Sequence, residues 1–212
     1  MSPQNSKPLY TVPGLTTKAG GQVIDLLVPR LHALNDLALT LKHIHWNVVG
    51  PHFIAVHEML DPQTVAVRDM ADSAAERIAA LGGEPQGTPG ALVAGRTWDD
   101  YSVGRADAIA HLGALGLVYA GIIEDHRKAA AKAADIDPVT EDLLIEHLRA
   151  LEQFQWFVRA HLESGSGALA TSGARTENQA AGAAAAGSGK AAAGKTANAA
   201  RTAKKTPGKR PR

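Results

Sequence analysis

Residues 43–61 read HIHWNVVGPHFIAVHEMLD and contain four of the nine histidines and one of the three tryptophans in this chain of 212 residues. Within this stretch, His57 and Asp61 are four residues apart. In a helix that spacing is about one turn, so the two side chains would share one face. Imidazole and carboxylate groups are common ligands of metal ions. Whether His57 and Asp61 lie on a helix depends on the flanking sequence.

Apolar residues recur at spacings of three and four on both sides of this stretch, which predicts two helices. The first covers roughly residues 20–49 and the second roughly residues 53–82, where the pair Gly82-Gly83 predicts a stop. Pro62 falls inside the second helix, directly after Asp61. Proline there predicts a kink, and a full break is the alternative.

Two more helices are predicted after a Gly- and Pro-rich connection, EPQGTPGALVAGRTWDD at residues 84–100, which has room for at most a short helix. The third covers roughly residues 103–134. The fourth begins at Asp137-Pro138, an N-cap followed by proline at the first helical position, and ends near Glu163. Strand-like alternation is absent, so the predicted fold class is all-α: a four-helix bundle over residues 20–163 with a long middle connection.

The segments outside the bundle differ from it in composition. Residues 1–19 contain no apolar run and are predicted to be flexible, neither a secretion signal nor a membrane anchor. Residues 164–212 are rich in Ala, Gly and Lys and are predicted to be disordered. From residue 171 onward nine basic residues accompany one acidic residue, whereas residues 1–170 carry thirteen basic and twenty acidic ones. This asymmetry suggests a polyanionic partner for the tail.

The acidic residues of the second helix extend the pattern of His57 and Asp61. With His57 at zero, Asp61, Asp72 and Glu76 lie at about 40°, 60° and 100° around the helix axis. Asp61 and Asp72 are about 16 Å apart along the helix, whereas metal–ligand bonds are about 2 Å long, so one chain's pair cannot hold one ion. Two copies packed antiparallel about residues 66 and 67 would set His57 opposite Glu76 and Asp61 opposite Asp72.

One further histidine is a candidate ligand. His43 and His45 are two residues apart and face different ways, and only His45 falls on the apolar stripe of the first helix. A set of imidazoles and carboxylates with open positions suits Fe(II), which needs room for its oxidant, and zinc is an alternative.

Three motifs in order, HWNVVGPHFIAVHEMLD at residues 45–61, DSAAERIAALGG at 72–83 and LEQFQWFVRAHLE at 151–163, closely resemble the Dps family, the DNA-protecting mini-ferritins of starved bacteria. The resemblance covers about residues 20–163 and is greatest to actinobacterial, mycobacterial-like members with a basic C-terminal tail. It implies four-helix subunits assembled as twofold dimers into a hollow dodecameric shell. It also implies oxidation of Fe(II), commonly with hydrogen peroxide, and storage of Fe(III) inside.

The resemblance also implies which residues act. The ferroxidase site would lie between two subunits, with His45, His57 and Asp61 from one chain and Asp72 and Glu76 from the other. Trp46 matches a tryptophan beside the family's centre and Lys42 a lysine near it. We interpret Trp46 as packing against the site, although an oxidisable ring there could also take up stray radicals.

Acidic residues near the start of the fourth helix have two interpretations. Asp142 and Glu146, four apart on one face, could line an iron-entry pore of the shell, and Asp135, Asp137 and Glu141 are weaker candidates. Alternatively, acids in the first turns of a helix complement its dipole. Four other histidines are interpreted as ordinary core or surface residues: His32, His111, His147 and His161. His43 and His52 are unassigned.

The tail is predicted to bind double-stranded DNA without sequence specificity, because its cations are spaced by small residues and no aromatic residue offers base stacking. A solubilising disordered end is the alternative. The eight cations are Lys190, Lys195, Arg201, Lys204, Lys205, Lys209, Arg210 and Arg212.

Taken together, the sequence predicts a ferroxidase and iron-storage protein that compacts DNA, located in the cytoplasm at the nucleoid and not in a membrane. The absence of cysteine fits a reducing compartment. The alternative is a structural nucleoid protein without working metal sites. A storage ferritin with its di-iron site inside each bundle would need Glu-x-x-His pairs, and no glutamate here has a histidine three residues later.

Overall fold

The computed structural model describes residues 8–187 and shows a bundle of helices. Helix α1 packs along α2 and α4 along α5, while contacts between α1 and α4 and between α2 and α5 close the bundle. The short α3 lies in the long connection between α2 and α4. This arrangement confirms the predicted all-α four-helix bundle. The helices are α1 (Thr17–Asn47), α2 (Phe53–Ala80), α3 (Pro89–Gly95), α4 (Ala108–Ala133), α5 (Pro138–Leu162) and α6 (177–187).

A short parallel pair of strands joins the end of α1 to the start of α4. β1 (Val48–Val49) pairs with β2 (Ala106–Asp107). Each strand has two residues, too few to show an alternating pattern, so neither strand was predicted. Asp107 then caps α4, because its Oδ1 accepts a hydrogen bond from the Ile109 amide at 2.9 Å. Helix α4 therefore begins at Ala108, five residues later than predicted.

Helix α2 is continuous from Phe53 to Ala80 with Pro62 inside it, which excludes a break at this residue. Proline cannot donate to the carbonyl four residues earlier, that of Glu58. Glu58 and Pro62 both lie on the exposed side of the helix, where water can satisfy that carbonyl. The register of the acidic stripe along α2 is therefore preserved.

The predicted stop after α2 is confirmed. Gly82 has a φ of 85°, in the left-handed region that favours glycine, and its amide donates to the Ala79 carbonyl at 2.9 Å. A Cβ at this position would also collide with the carbonyl of Tyr10. Gly82 thus ends the helix and lets the N-terminal segment approach it.

Helix α4 is the most apolar of the long helices and, by length and composition alone, could span a membrane. In the bundle it is a core helix instead. Its Leu112, Leu115 and Tyr119 side chains are fully buried against the other helices. The same helix also buries His111 and His126 completely.

The histidines interpreted as core or surface residues are placed as such: His32, His111 and His147 are buried and His161 is exposed. His126, which the sequence did not single out, is buried with its ring 6.0 Å from that of His147. Burial lowers the pKa of His126 to about 3 and that of His147 to about 4, so both rings are neutral at pH 7.

Ordered structure begins earlier than predicted at the N-terminal end. Helix α1 starts at Thr17, and the Thr16 hydroxyl caps it by accepting from the Ala19 amide at 3.2 Å. Val12 and Leu15 pack against the core before the helix begins. The sequence predicted a flexible segment up to residue 19, whereas in the structure isolated apolar residues place part of residues 8–19 against the bundle.

Residues 164–187, which the sequence predicted to be disordered apart from transient helix in the alanine runs, include an ordered helix. Helix α6 lies against α4, and Ala180, Ala181 and Ala184 are buried there. Gly113 makes this approach possible, since a Cβ on it would come within 2.8 Å of the Ala184 side chain. The Glu177 carboxylate anchors the start of α6 by accepting from both the amide and the hydroxyl of Ser102, at 2.7 and 2.9 Å.

Candidate metal centre

The end of α1 and the start of α2 bring His45 and His57 together. The two rings are stacked with centroids 3.6 Å apart. Nδ1 of His45 donates to the His57 carbonyl at 3.0 Å, and Nδ1 of His57 donates to the His45 carbonyl at 2.9 Å. These reciprocal hydrogen bonds join the two helices at this point.

The same bonds fix the tautomer of each ring. A carbonyl can only accept, so the hydrogen of each neutral imidazole is on Nδ1 and the lone pair is on Nε2. A histidine that binds a metal ion commonly donates its other nitrogen to a backbone carbonyl in this way. His45 and His57 therefore present two preorganised donor nitrogens.

Asp61 completes this group one turn further along α2. Its Oδ1 lies 2.9 Å from Nζ of Lys42 and 3.3 Å from Nδ1 of His45. The Lys42 hydrogen bond holds the pKa of Asp61 below its ordinary value. The carboxylate is ionised, as a metal ligand must be, and its side chain is 54% exposed, so the group opens to the surface.

Lys42 also connects this group to Trp46, since its Nζ lies 5.7 Å from the centre of the indole ring. Trp46 is 72% exposed in the single chain. It therefore borders the group through Lys42 and does not pack into the core of its own protomer.

Asp72 and Glu76 lie further along the same face of α2, and both are exposed. The continuous helix separates Asp72 from Asp61 by about 16 Å. Within residues 8–187 no three His, Asp or Glu side chains gather closely enough to hold a metal ion. One protomer thus shows two separate groups of ligand-type residues at the two ends of one face.

Exposed apolar side chains share this face with the ligand-type residues. On α2, Ile54 is 56% exposed and Val65 is 61% exposed, and both follow the stripe of Asp61. On α1, Leu39 is 61% exposed and lies on the same side as Lys42 and Trp46. Charged ligand-type residues mixed with exposed apolar ones are typical of an interface between protein chains.

The remaining site predictions are placed as follows. His43 turns away from the group and donates from Nε2 to the Val103 carbonyl at 2.9 Å, and His52 is exposed before α2. Asp142 and Glu146 are exposed on one face of α5. The eight tail cations lie outside the described residues.

Asp137 is the one pore candidate that the structure removes. It is buried and accepts from Nη2 of Arg77 at 2.6 Å and from the Thr140 hydroxyl at 2.5 Å. Asp137 therefore joins the start of α5 to α2. A buried carboxylate paired with a guanidinium and a hydroxyl is not available to a passing ion, so Asp137 does not line a pore.

Several contacts of the site region could not be read from the residues alone. The pairing of Lys42 with Asp61 crosses between helices, and only the family resemblance pointed to that lysine. The reciprocal bonds of His45 and His57 involve backbone carbonyls, which carry no sequence signal. The hydrogen bond between Tyr101 and His111 also joins a loop to a helix across residues that show no motif.

Comparison with known proteins agrees with this architecture. Residues 24–167 match the family described as ferritin-like domain. The chain is 60% identical over 172 residues to the DNA protection during starvation protein of Mycolicibacterium smegmatis, an alignment that covers 81% of this chain and 94% of that one.

Two solved structures are similar throughout the bundle. DpsA14 from Streptomyces coelicolor is 72% identical with a TM-score of 0.77, covering 78% of this chain and 98% of that one. Mycobacterium smegmatis Dps is 60% identical with a TM-score of 0.78, covering 79% and 95%. The chain therefore belongs to the ferritin-like Dps family, in which dodecameric assembly is typical, and this membership supports a general role in iron storage and DNA protection.

Proposed function

We propose that this protein oxidises Fe(II) with hydrogen peroxide at sites shared between two subunits, stores the Fe(III) inside a dodecameric shell, and binds DNA through its basic tail. The observation that carries the proposal is the group formed by His45, His57 and Asp61. Its tautomers are fixed, its carboxylate is ionised, and it opens onto a face that only a second copy can complete.

Each residue has a defined task in this proposal. Nε2 of His45 and of His57 would bind Fe(II) from one chain together with the Asp61 carboxylate. Asp72 and Glu76 of the partner subunit would supply the remaining oxygen ligands, since antiparallel packing of α2 sets them opposite. Lys42 would hold the Asp61 carboxylate in place while the site is empty, and its positive charge would limit the affinity for Fe(III), which favours release of the oxidised ion.

Iron would reach the interior along acidic side chains. Asp142 and Glu146 are exposed and four residues apart on α5, so they present two carboxylates on one face. In a shell, copies of this pair around a symmetry axis would attract Fe(II) by their combined charge. The alternative role of these carboxylates is to stabilise the α5 dipole. That stabilisation is confined to the first turn of a helix, and Glu146 lies beyond it.

The tail would bring the shell to DNA, which places the protein in the cytoplasm at the nucleoid. The described residues end in α6, which lies against α4, and the eight cations follow it in the sequence at residues 190–212. Lys and Arg spaced by small residues can each approach a phosphate, and several tails on one shell would add to the affinity.

The subunit interface can be tested with single cysteines, because the chain has none of its own. With antiparallel packing about residues 66 and 67, Val65 lies about 4.5 Å from its symmetry mate along the helix axis, whereas Ala55 lies about 35 Å from its own. We expect a short bismaleimide linker to give a covalent dimer with Val65→Cys and none with Ala55→Cys, as read on a denaturing gel. Equal yields from the two variants would contradict the proposed register.

The metal centre is tested by the double variant His57→Ala plus Asp61→Ala. Loss of a residue that only orients a metal ligand lowers metal affinity or activity by about 10–100-fold. Removal of two ligands should therefore slow Fe(II) oxidation by peroxide by more than about 100-fold in a stopped-flow absorbance assay. The matched control is His161→Ala plus Glu163→Ala at the exposed end of α5, which should oxidise iron at the parent rate. A parent-like rate in the ligand variant would refute the assignment. An inactive parent would instead favour the structural nucleoid protein.

The tail is tested by ending the chain after Gly187, which removes all eight cations and keeps α6 in place. We expect gel-shift binding to DNA to disappear, while the parent shows a slope of log affinity against log salt of about −7 per tail. The truncated particle should keep its iron oxidation rate, which serves as the control for folding. DNA retention by the truncated chain would move the assignment to Lys7 and Lys18.

A further inference from the structure

Two tyrosines packed in the bundle differ in the group that accepts the phenolic hydrogen bond. The Tyr119 hydroxyl donates to Oε1 of Gln63 at 2.7 Å, and an amide oxygen is not a base that takes up this proton. The Tyr101 hydroxyl lies 3.1 Å from Nδ1 of His111 and 3.4 Å from the His111 carbonyl. Of these two tyrosines, only Tyr101 has a neighbour that can take its proton.

His111 is suited to receive that proton. It is fully buried, and burial lowers its pKa, so the ring is neutral and the Nδ1 lone pair can face the Tyr101 hydroxyl. Backbone groups of Asn47 and Gly104 and the Asp107 carboxylate act in the opposite direction and favour the protonated ring. These groups offset only part of the effect of burial, so His111 is neutral at rest and would hold the proton only while Tyr101 is oxidised.

Tyr101 cannot act as an ordinary acid. Burial raises its pKa far above the usual range, and the nearby Glu177 carboxylate acts in the same direction, so the phenolate is not populated at pH 7. Loss of one electron makes a phenol strongly acidic, however. With His111 beside it, Tyr101 can lose an electron and a proton together without forming a buried ion on its own ring.

Tyr101 lies across α1 from the candidate metal centre. Its ring is 5.7 Å from that of His43, and the bond from His43 to the Val103 carbonyl holds the two rings together. His43 precedes His45 by two residues on α1, where the side chains point to different sides. A helix is about 10–12 Å across, so Tyr101 is separated from His45 by about one helix width and one ring contact.

We propose that Tyr101 and His111 form a redox relay that quenches hydroxyl radicals formed from Fe(II) and hydrogen peroxide beside the metal centre. This inference rests on the proposed ferroxidase function, which brings both reactants together. An electron passes from Tyr101 to the hydroxyl radical, which becomes hydroxide, and the phenolic proton moves to Nδ1 of His111. The products are a neutral tyrosyl radical and an imidazolium.

Fe(II) then restores the pair. One Fe(II) gives an electron to the tyrosyl radical and becomes Fe(III), while His111 returns the proton to the phenol oxygen. The cycle converts one hydroxyl radical and one Fe(II) into hydroxide and Fe(III). A damaging oxidant is thus consumed by the same oxidation of iron that the shell carries out.

The test uses the assembled full chain in a Tyr10→Phe background, because Tyr10 is 64% exposed and would be oxidised from solution. The particle is loaded with Fe(II), mixed with hydrogen peroxide and freeze-quenched for electron paramagnetic resonance, with ring-deuterated tyrosine to separate tyrosyl from tryptophanyl signals. We expect a tyrosyl signal that falls to baseline with Tyr101→Phe and persists with the matched control Tyr119→Phe. A signal of equal size in Tyr101→Phe would overturn the relay.

Two further readings separate this inference from the proposed function. Iron oxidation is followed in the same samples, and it should be unchanged by Tyr101→Phe. A particle that oxidises iron without any tyrosyl signal would refute the relay and leave the ferroxidase standing, whereas a particle that oxidises no iron would refute the ferroxidase.

An experiment without iron tests the Tyr101–His111 pair by itself, whether or not the particle oxidises iron. A light-activated ruthenium(II) complex with persulfate supplies a one-electron oxidant in solution. We expect the Tyr101 radical to form in the parent, and to form more slowly in His111→Gln and in deuterated water, because proton transfer to His111 is part of the step. Absence of the radical in the parent, or no effect of either change, would overturn the inference.

Discussion

The reciprocal hydrogen bonds between His45 and His57 are the interaction on which the functional face of this bundle depends. They fasten the end of α1 to the start of α2 and orient both imidazoles by bonding each Nδ1 to a backbone carbonyl. Because the backbone holds the rings, the donor nitrogens are positioned before any ion arrives, which lowers the entropy cost of binding. Asp61 follows one turn later, so the three ligand-type groups of one chain lie together at one end of α2.

The length of α2 imposes the second constraint. The continuous helix carries Asp72 and Glu76 too far from Asp61 for one ion, so in the proposed arrangement each protomer would supply complementary halves of two sites. The exposed apolar residues along the same face, such as Leu39 and Val65, supply the burial that would hold two copies together. Tyr101, which belongs to the connection before α4, lies on the other side of α1 and packs partly buried against a cluster that includes Ala181 of α6.

The sequence predicted the long helices well because their apolar periodicity spans many turns. It placed His57 and Asp61 on one helix face by their spacing, whereas His45 joined them through its place on the apolar stripe of the first helix and through the family resemblance. It could not predict the docking of α6, where a glycine and alanines allow close approach with little apolar area, a pattern that looks like disorder. The late start of α4 depended on a two-residue strand pair and an aspartate cap. Pro62 was tolerated because the carbonyl it leaves unpaired faces solvent.

The most direct measurement of the central claim is a crystal structure of the assembled protein soaked anaerobically with Fe(II), with anomalous scattering recorded at the iron absorption edge. The account predicts an iron peak between two antiparallel α2 helices, within bonding distance of His45, His57 and Asp61 of one protomer and facing Asp72 and Glu76 of the partner subunit. An iron peak held within a single protomer, or no peak between paired protomers, would contradict it.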